Sequence, residues 1–165
     1  MIRLHEFNQL DAVEADSLVR PCLDVDRWVS GVISGRPFAS VDDLLAAARG
    51  VADPLTAAEL ERALSHHPRI GQQASGATAE AGMSRSEQAA LEVDDDVRRR
   101  LAEGNRAYER RFGRIFLIRA AGRSSEEILS QLQTRLQNDA PTEDQVVADQ
   151  LRQIALVRLT GMVSP

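Results

Sequence analysis

Hydrophobic residues along this chain recur mostly at the three- and four-residue intervals of amphipathic helices, whereas alternating, strand-like patterns are scarce. Short polar residues precede most of these periodic segments and are expected to cap them, and glycine or proline is expected to end them. The pattern therefore predicts an all-α fold, with a single domain of about eight helices over residues 1–165. The predicted first residues or caps of the helices are Asn8, Asp24, Ser40, Thr56, Ser84, Ser124 and Thr142.

Two stretches depart from the helical pattern. Residues 71–83 are mostly small and polar without periodicity, which predicts a surface loop. Residues 112–121 contain an isolated apolar run with no partner strand, so we expect buried, extended backbone there. Ser84 and Glu87 have the spacing of a capping box, which predicts that a helix begins at Ser84 and presents unpaired N–H groups. Asp94 could divide that helix in two.

The composition narrows the class of protein. At 165 residues and 43% hydrophobic content the chain can bury one full-sized core, which must be largely aliphatic because only 4% of residues are aromatic. A formal net charge of −5 argues against a nucleic-acid partner. No segment approaches the roughly 20 apolar residues of a membrane span. The single cysteine, Cys22, argues against a disulfide framework, and the first residues lack a secretory pattern, so we expect a cytoplasmic protein.

His67 is the candidate catalytic group, because imidazole exchanges a proton near neutral pH and Pro68 restricts the backbone beside it. A histidine at a helix end can also bond to the helix carbonyls, so a structural role stays open. Glu87 could orient His67, although a capping box would place a glutamate there in any case. Adjacent histidines such as His66 and His67 rarely reach one ion, and further ligands lack usable spacing, so we expect no metal.

Arg158 falls on an apolar stripe of the last predicted helix, which also contains Val147, Leu151 and Ile154. Burying an arginine without a partner is costly, so the stripe predicts that Arg158 has one. The partner could be a carboxylate of the protein, or it could be a carboxylate or ureido carbonyl of a substrate.

Five motifs occur in order along the chain. They are His67-Pro-Arg-Ile-Gly71, Ser84-x-x-Glu-Gln88, Asn105-x-x-Tyr-Glu-x-x-Phe-Gly113 followed by Phe116-Leu-Ile, Gly122-Arg-Ser124, and Arg158-Leu159. Together they resemble the 2-oxo-4-hydroxy-4-carboxy-5-ureidoimidazoline (OHCU) decarboxylases of uric acid degradation, over essentially the whole chain. The resemblance implies an all-helical enzyme, commonly a homodimer, that converts its substrate to (S)-allantoin without a cofactor.

The resemblance also implies roles for particular residues. His67 matches the proton donor of the family, Glu87 the carboxylate beside it, and Arg158 a substrate-binding arginine. The other implied substrate-contacting residues are Pro68, Ser84, Arg85, Ser86, Gln88, Phe116, Leu117, Ile118, Arg119 and Ala120, and Glu87 counts among the contacts as well. The implied partner is a small ureidoimidazoline, with no nucleic acid, membrane or metal ion.

Two other functions stay open at this point. The chain could be a catalytically silent helical module that binds a ureide such as allantoin. It could also be a metal-dependent hydrolase that uses His66 and His67. The combination of His67, Glu87 and Arg158 favours the decarboxylase over the module, and the small number of candidate ligands argues against the hydrolase.

Overall fold

The structure is a computed structural model that describes residues 1–71, 78–88 and 94–165, and most of these residues are helical. The helices are α1 Leu4–Gln9, α2 Ala12–Val19, α3 Asp26–Ser34, α4 Val41–Gly50, α5 Ala57–Ser65, α6 Ala79–Gln88, α7 Asp95–Phe112, α8 Ser125–Arg135 and α9 Ala140–Met162. A short 3₁₀ turn, Arg20–Cys22, follows α2, and β1 Ile2–Arg3 pairs in parallel with β2 Val163–Ser164. The predicted all-α fold is confirmed, with nine α-helices in the described ranges.

Several helices begin where the sequence predicts. Ser40 caps α4 by accepting a hydrogen bond from a first-turn N–H group at 3.1 Å. Thr56 at α5 and Ser124 at α8 each exchange hydrogen bonds with a glutamate three residues later, as capping boxes do. Asp94 caps α7, so a separate helix begins at the residue that could divide the long helix predicted from Ser84. Each cap satisfies N–H groups that have no partner inside the helix.

Three predicted helix starts are displaced by a few residues. Asn8 lies inside α1, and Asp11 caps the next helix, α2. Asp24 lies two residues before α3 and forms ion pairs with arginines instead. Thr142 lies inside α9, where its N–H donates to the carboxylate of Asp139 at 2.8 Å. Asp11 therefore caps a helix in place of Asn8, and Asp139 does so in place of Thr142.

The described residues form two compact units, of which the first comprises residues 1–63 and 152–165. Its core surrounds Trp28, whose indole N–H donates to the carbonyl of Ala48 at 2.8 Å. This bond satisfies the one polar atom of a buried tryptophan. Other fully buried residues of this unit are Phe7, Ala15, Val19, Val25, Val29, Val32, Leu44 and Leu159. The single-domain organisation stays a prediction.

The second unit comprises residues 64–151. Its hydrophobic cluster, which we call the second core, consists of Ile70, Val97, Leu101, Tyr108, Phe116, Ile118, Ala120, Ile128, Leu129 and Leu132. Gly104 allows α7 to approach α8 closely, because a Cβ atom at this position would overlap Leu132. Residues 115–120 form neither helix nor strand and are mostly buried, as the sequence predicts, whereas Phe112, the first residue of the predicted extended segment, is the last residue of α7. None of the described helices combines the length and apolar character needed to cross a membrane.

Candidate functional site

The candidate catalytic histidine follows the end of α5. The backbone N–H of His67 donates to the carbonyl of Leu64 at 3.0 Å, which closes the last turn before Pro68 prevents helical geometry. His66 is exposed, whereas His67 and Pro68 are half-buried. Of the two histidines, His67 therefore lies closer to the interior of the unit. Across the described residues, no group of three or more histidine, cysteine or acidic side chains is arranged to hold a metal ion.

Ser84 lies in the middle of α6, so the predicted helix start at this residue is wrong. The helix begins at Ala79, where the hydroxyl of Thr78 accepts a hydrogen bond from a first-turn N–H at 3.2 Å. The predicted loop over residues 71–83 is therefore wrong from residue 79 onward, and residues 72–77 lie outside the described residues. The positive end of this helix dipole is consequently not at Ser84, and it cannot position a substrate there.

Ser84, Glu87 and Gln88 share one face of α6, because residues three and four positions apart are neighbours on a helix. Ser84 is 2% exposed, and Glu87 and Gln88 are half-buried. Arg85 and Ser86 lie on the exposed side of the helix. The inward face of α6 therefore carries a hydroxyl, a carboxylate and an amide within little more than one turn.

A hydrogen bond joins the histidine segment, residues 67–71, to this face of α6. The backbone N–H of Gly71 donates to the side-chain oxygen of Gln88 at 3.0 Å. Ile70 belongs to the second core, and its carbonyl accepts a hydrogen bond from the side-chain amide of Asn105 at 3.1 Å. The histidine segment is thus held at two consecutive residues, next to the end of α6.

The backbone of residues 116–120 is also held by side chains of the second unit. Three of these five residues contribute to the second core. The carbonyl of Leu117 accepts a hydrogen bond from Arg135 at 2.7 Å, and the N–H of Arg119 donates to the side-chain oxygen of Gln150 at 2.9 Å. The structure therefore places the histidine segment, α6 and residues 116–120 in one compact unit.

An ion pair between Arg135 and Glu143 lies inside this unit. The two side chains are 4% and 0% exposed, and Arg135 donates two hydrogen bonds to Glu143, at 2.6 and 2.9 Å. Asn138 donates to the second carboxylate oxygen at 2.8 Å, and the hydroxyl of Tyr108 also donates to Glu143. Burial, reinforced by the bond to Glu143, raises the pKa of the Tyr108 hydroxyl. The buried charges are therefore well supplied with partners, as such charges require.

The sequence patterns did not single out Arg135 or Glu143, although a signal was available. Arg135 follows Leu132 by three positions on the buried side of α8, and Glu143 precedes Val147 by four on the buried side of α9. Each is a charged residue on an apolar stripe. This is the same signal that identifies Arg158.

Arg158 is buried, as its position on the apolar stripe predicts. It lies in the first unit and is 6% exposed. Its guanidinium donates a hydrogen bond to the carbonyl of Pro21 at 3.1 Å. Its contact with substrate stays a prediction, as do the contacts of Arg85 and Ser86.

Known proteins resemble this chain in sequence and in fold. The sequence profile of the OHCU decarboxylase family matches residues 8–160. The 2-oxo-4-hydroxy-4-carboxy-5-ureidoimidazoline decarboxylase of Amia calva is 31% identical over 137 residues, which cover 81% of this chain and 78% of that protein. The Haloferax volcanii protein of the same name is 27% identical over 170 residues, which cover 98% of this chain and 99% of that protein. A crystal structure of OHCU decarboxylase in the presence of (S)-allantoin has the same fold, with a TM-score of 0.71 and 23% sequence identity. The match covers 88% of this chain and 96% of that one.

Proposed function

Because the chain belongs to the OHCU decarboxylase family, we propose that it converts 2-oxo-4-hydroxy-4-carboxy-5-ureidoimidazoline to (S)-allantoin in uric acid degradation. It acts as a lyase that breaks a carbon–carbon bond. The observation that carries the proposal is the 3.0 Å hydrogen bond from Gly71 to Gln88. This bond joins the motif that begins at His67 to the motif that ends at Gln88, so two separate sequence signals meet in one place.

The substrate can accept the electrons that its own decarboxylation releases. Its ring carbon with the carboxylate and hydroxyl groups is next to the imine carbon that carries the ureido group. When carbon dioxide leaves, its electron pair forms a double bond between these two ring carbons, and the former imine nitrogen accepts a proton. A proton then adds to the ureido-bearing carbon, and the hydroxyl group becomes the ring carbonyl as its proton is lost. The protein has to supply orientation, stabilisation of developing charge, and a proton on one face, so the proposed reaction needs no cofactor.

We assign the delivery of this proton to His67, with Glu87 as the carboxylate that orients it. Support comes from the half-buried position of both residues and from the bond that holds the histidine segment against α6. Ser84 and Gln88 share the face of α6 that carries Glu87, and they offer a hydroxyl and an amide to the polar ring and ureido groups. Arg158 is proposed as a further substrate-binding residue on the strength of the family motif.

Turnover of freshly prepared substrate tests the proposal. The substrate is generated from urate with the two preceding enzymes of the pathway, and the circular dichroism of (S)-allantoin is followed in the presence of a metal chelator. We expect the protein to accelerate product formation over spontaneous decay. His67→Ala should lower kcat by a factor of about 10² to 10⁴, the usual contribution of a positioned acid or base.

His66→Ala is the matched control, since it removes the same side chain one residue away, and we expect nearly full activity. The absence of any acceleration by the wild-type protein would contradict the decarboxylase. If calorimetry then detected (S)-allantoin binding, the non-catalytic ureide-binding module would gain support. Loss of turnover on addition of the chelator would instead support metal-dependent chemistry.

We further propose that the protein is a homodimer and that it works in the cytoplasm. The family resemblance supports the dimer, and the single buried cysteine, Cys22, is compatible with a reducing compartment. Sedimentation velocity distinguishes the 18.1 kDa chain from an assembly of twice that mass. Fractionation of cells that express the protein tests its compartment.

A further inference from the structure

We propose that three buried polar side chains position the backbone of residues 116–120 for substrate binding. They are Arg135, Glu143 and Gln150, which we call the positioning cluster. The inference rests on the proposed function, because the family resemblance behind that proposal implies that residues 116–120 contact the substrate. The three side chains act through the backbone that they hold, and they are positioning residues rather than catalytic ones.

The positioning cluster holds two backbone groups of the segment. Arg135, from α8, donates to the carbonyl of Leu117 at 2.7 Å, and Gln150, from α9, accepts from the N–H of Arg119 at 2.9 Å. Arg135 is 3% exposed and Gln150 is 9% exposed. Because both side chains project from helices and are packed in the interior, they fix the position of the peptide groups they bind.

Ile118 lies between these two held groups. In extended backbone, a carbonyl and the N–H two residues later face one side, and both polar groups of the residue between them face the other side. Among the described residues, the backbone of Ile118 makes no hydrogen bond. Ile118 therefore offers one donor and one acceptor on the side away from the positioning cluster. This pair matches a ureide, which carries N–H and C=O groups side by side.

The character of the cluster also favours positioning over simple stabilisation. Replacing a buried ion pair by apolar residues of similar volume is often neutral or stabilising, so stability alone gives little reason to keep this one. An apolar side chain, however, could not bind the Leu117 carbonyl. Arg135 also contacts the segment a second time, since its guanidinium lies over the ring of Phe116 at 4.6 Å from the ring centre.

Gln150→Leu tests the inference by removing the side-chain oxygen that holds the N–H of Arg119, while keeping a side chain of similar size. We expect KM to rise about tenfold with a smaller change in kcat. The reason is that the backbone of residues 116–120 would bind both the substrate and the transition state less well. The affinity for (S)-allantoin, measured by calorimetry, should weaken by a similar factor. Gln145→Leu is the matched control, because Gln145 lies on the same helix and is exposed. This control should leave KM and product affinity unchanged.

A second variant removes the ion pair without leaving a buried charge alone. The triple substitution Arg135→Met, Glu143→Leu and Tyr108→Phe makes this region apolar, and we expect a folded protein with KM raised at least as much as in Gln150→Leu. Wild-type KM and product affinity in Gln150→Leu and in the folded triple variant would overturn the inference. The inference would also be overturned if KM stayed unchanged and the apparent kcat fell only in proportion to the fraction of unfolded protein.

The wild-type assay separates the two proposals. A wild-type protein without turnover contradicts the decarboxylase before any variant is compared. An active wild-type protein with unaffected variants contradicts only the positioning role. If the triple variant does not fold, Gln150→Leu alone decides, because it leaves the ion pair in place.

Discussion

Loss of one partner from the buried ion pair between Arg135 and Glu143 should destabilise the protein strongly. Glu143→Leu removes the carboxylate and leaves the guanidinium of Arg135, which is only 4% exposed, without its counter-charge. Removing one partner of a buried pair costs about 3–5 kcal/mol, because the remaining charge is neither paired nor solvated. The variant also leaves the Tyr108 hydroxyl and the Asn138 amide without their acceptor. We therefore expect a loss of about 4 kcal/mol in the free energy of unfolding.

Urea denaturation followed by far-ultraviolet circular dichroism measures this loss. For a chain of this size it corresponds to a fall in Tm of roughly 8–16 °C. Arg99→Leu is the control, since it breaks an ion pair with Asp96 whose side chains are 68% and 57% exposed. Such exposed pairs contribute about 0–1 kcal/mol. The double variant Arg135→Met and Glu143→Leu should recover much of the lost stability. A cost for Glu143→Leu no larger than that for Arg99→Leu would refute the reasoning.

Two further predictions concern acid stability and packing. Hydrogen bonds from Arg27, opposed in part by burial, lower the pKa of Glu59 from 4.5 to about 2. The ionised carboxylate therefore stabilises the fold above pH 4.5, and this contribution is lost as the pH falls toward 2. Glu59→Gln should flatten the acid side of a plot of unfolding free energy against pH, and an unchanged slope would contradict this. Gly104→Ala should lower the free energy of unfolding, measured by urea denaturation, by about 1 kcal/mol, because overlap with Leu132 outweighs the better helix propensity of alanine. A gain in stability would disprove the overlap.

The sequence by itself determined the parts of the fold that depend on near neighbours. The caps at Ser40, Thr56 and Ser124 could be predicted because each bond joins residues only three positions apart. Apolar spacing predicted the helices for the same reason, and it also predicted that Arg158 is buried. The ordered motifs were sufficient to indicate the family, which the matching profile over residues 8–160 confirms.

Where one spacing fits two structures, the tertiary structure decided between them. Ser84 and Glu87 are three residues apart, which suits both a capping box and one face of a continuous helix. The sequence favoured the capping box. In the structure Ser84 is 2% exposed within α6, so the same spacing instead directs the serine and the carboxylate inward.

Contacts between distant parts of the chain were decided only by the tertiary structure. Gly71 and Gln88 are 17 positions apart, and Arg135 is 18 positions from Leu117. A charged residue on an apolar stripe shows that a partner is needed, but the packing of helices determines which group fills that need. For this reason the sequence could name His67 and Glu87 as candidates, while the bond that holds the histidine segment against α6 had to come from the structure.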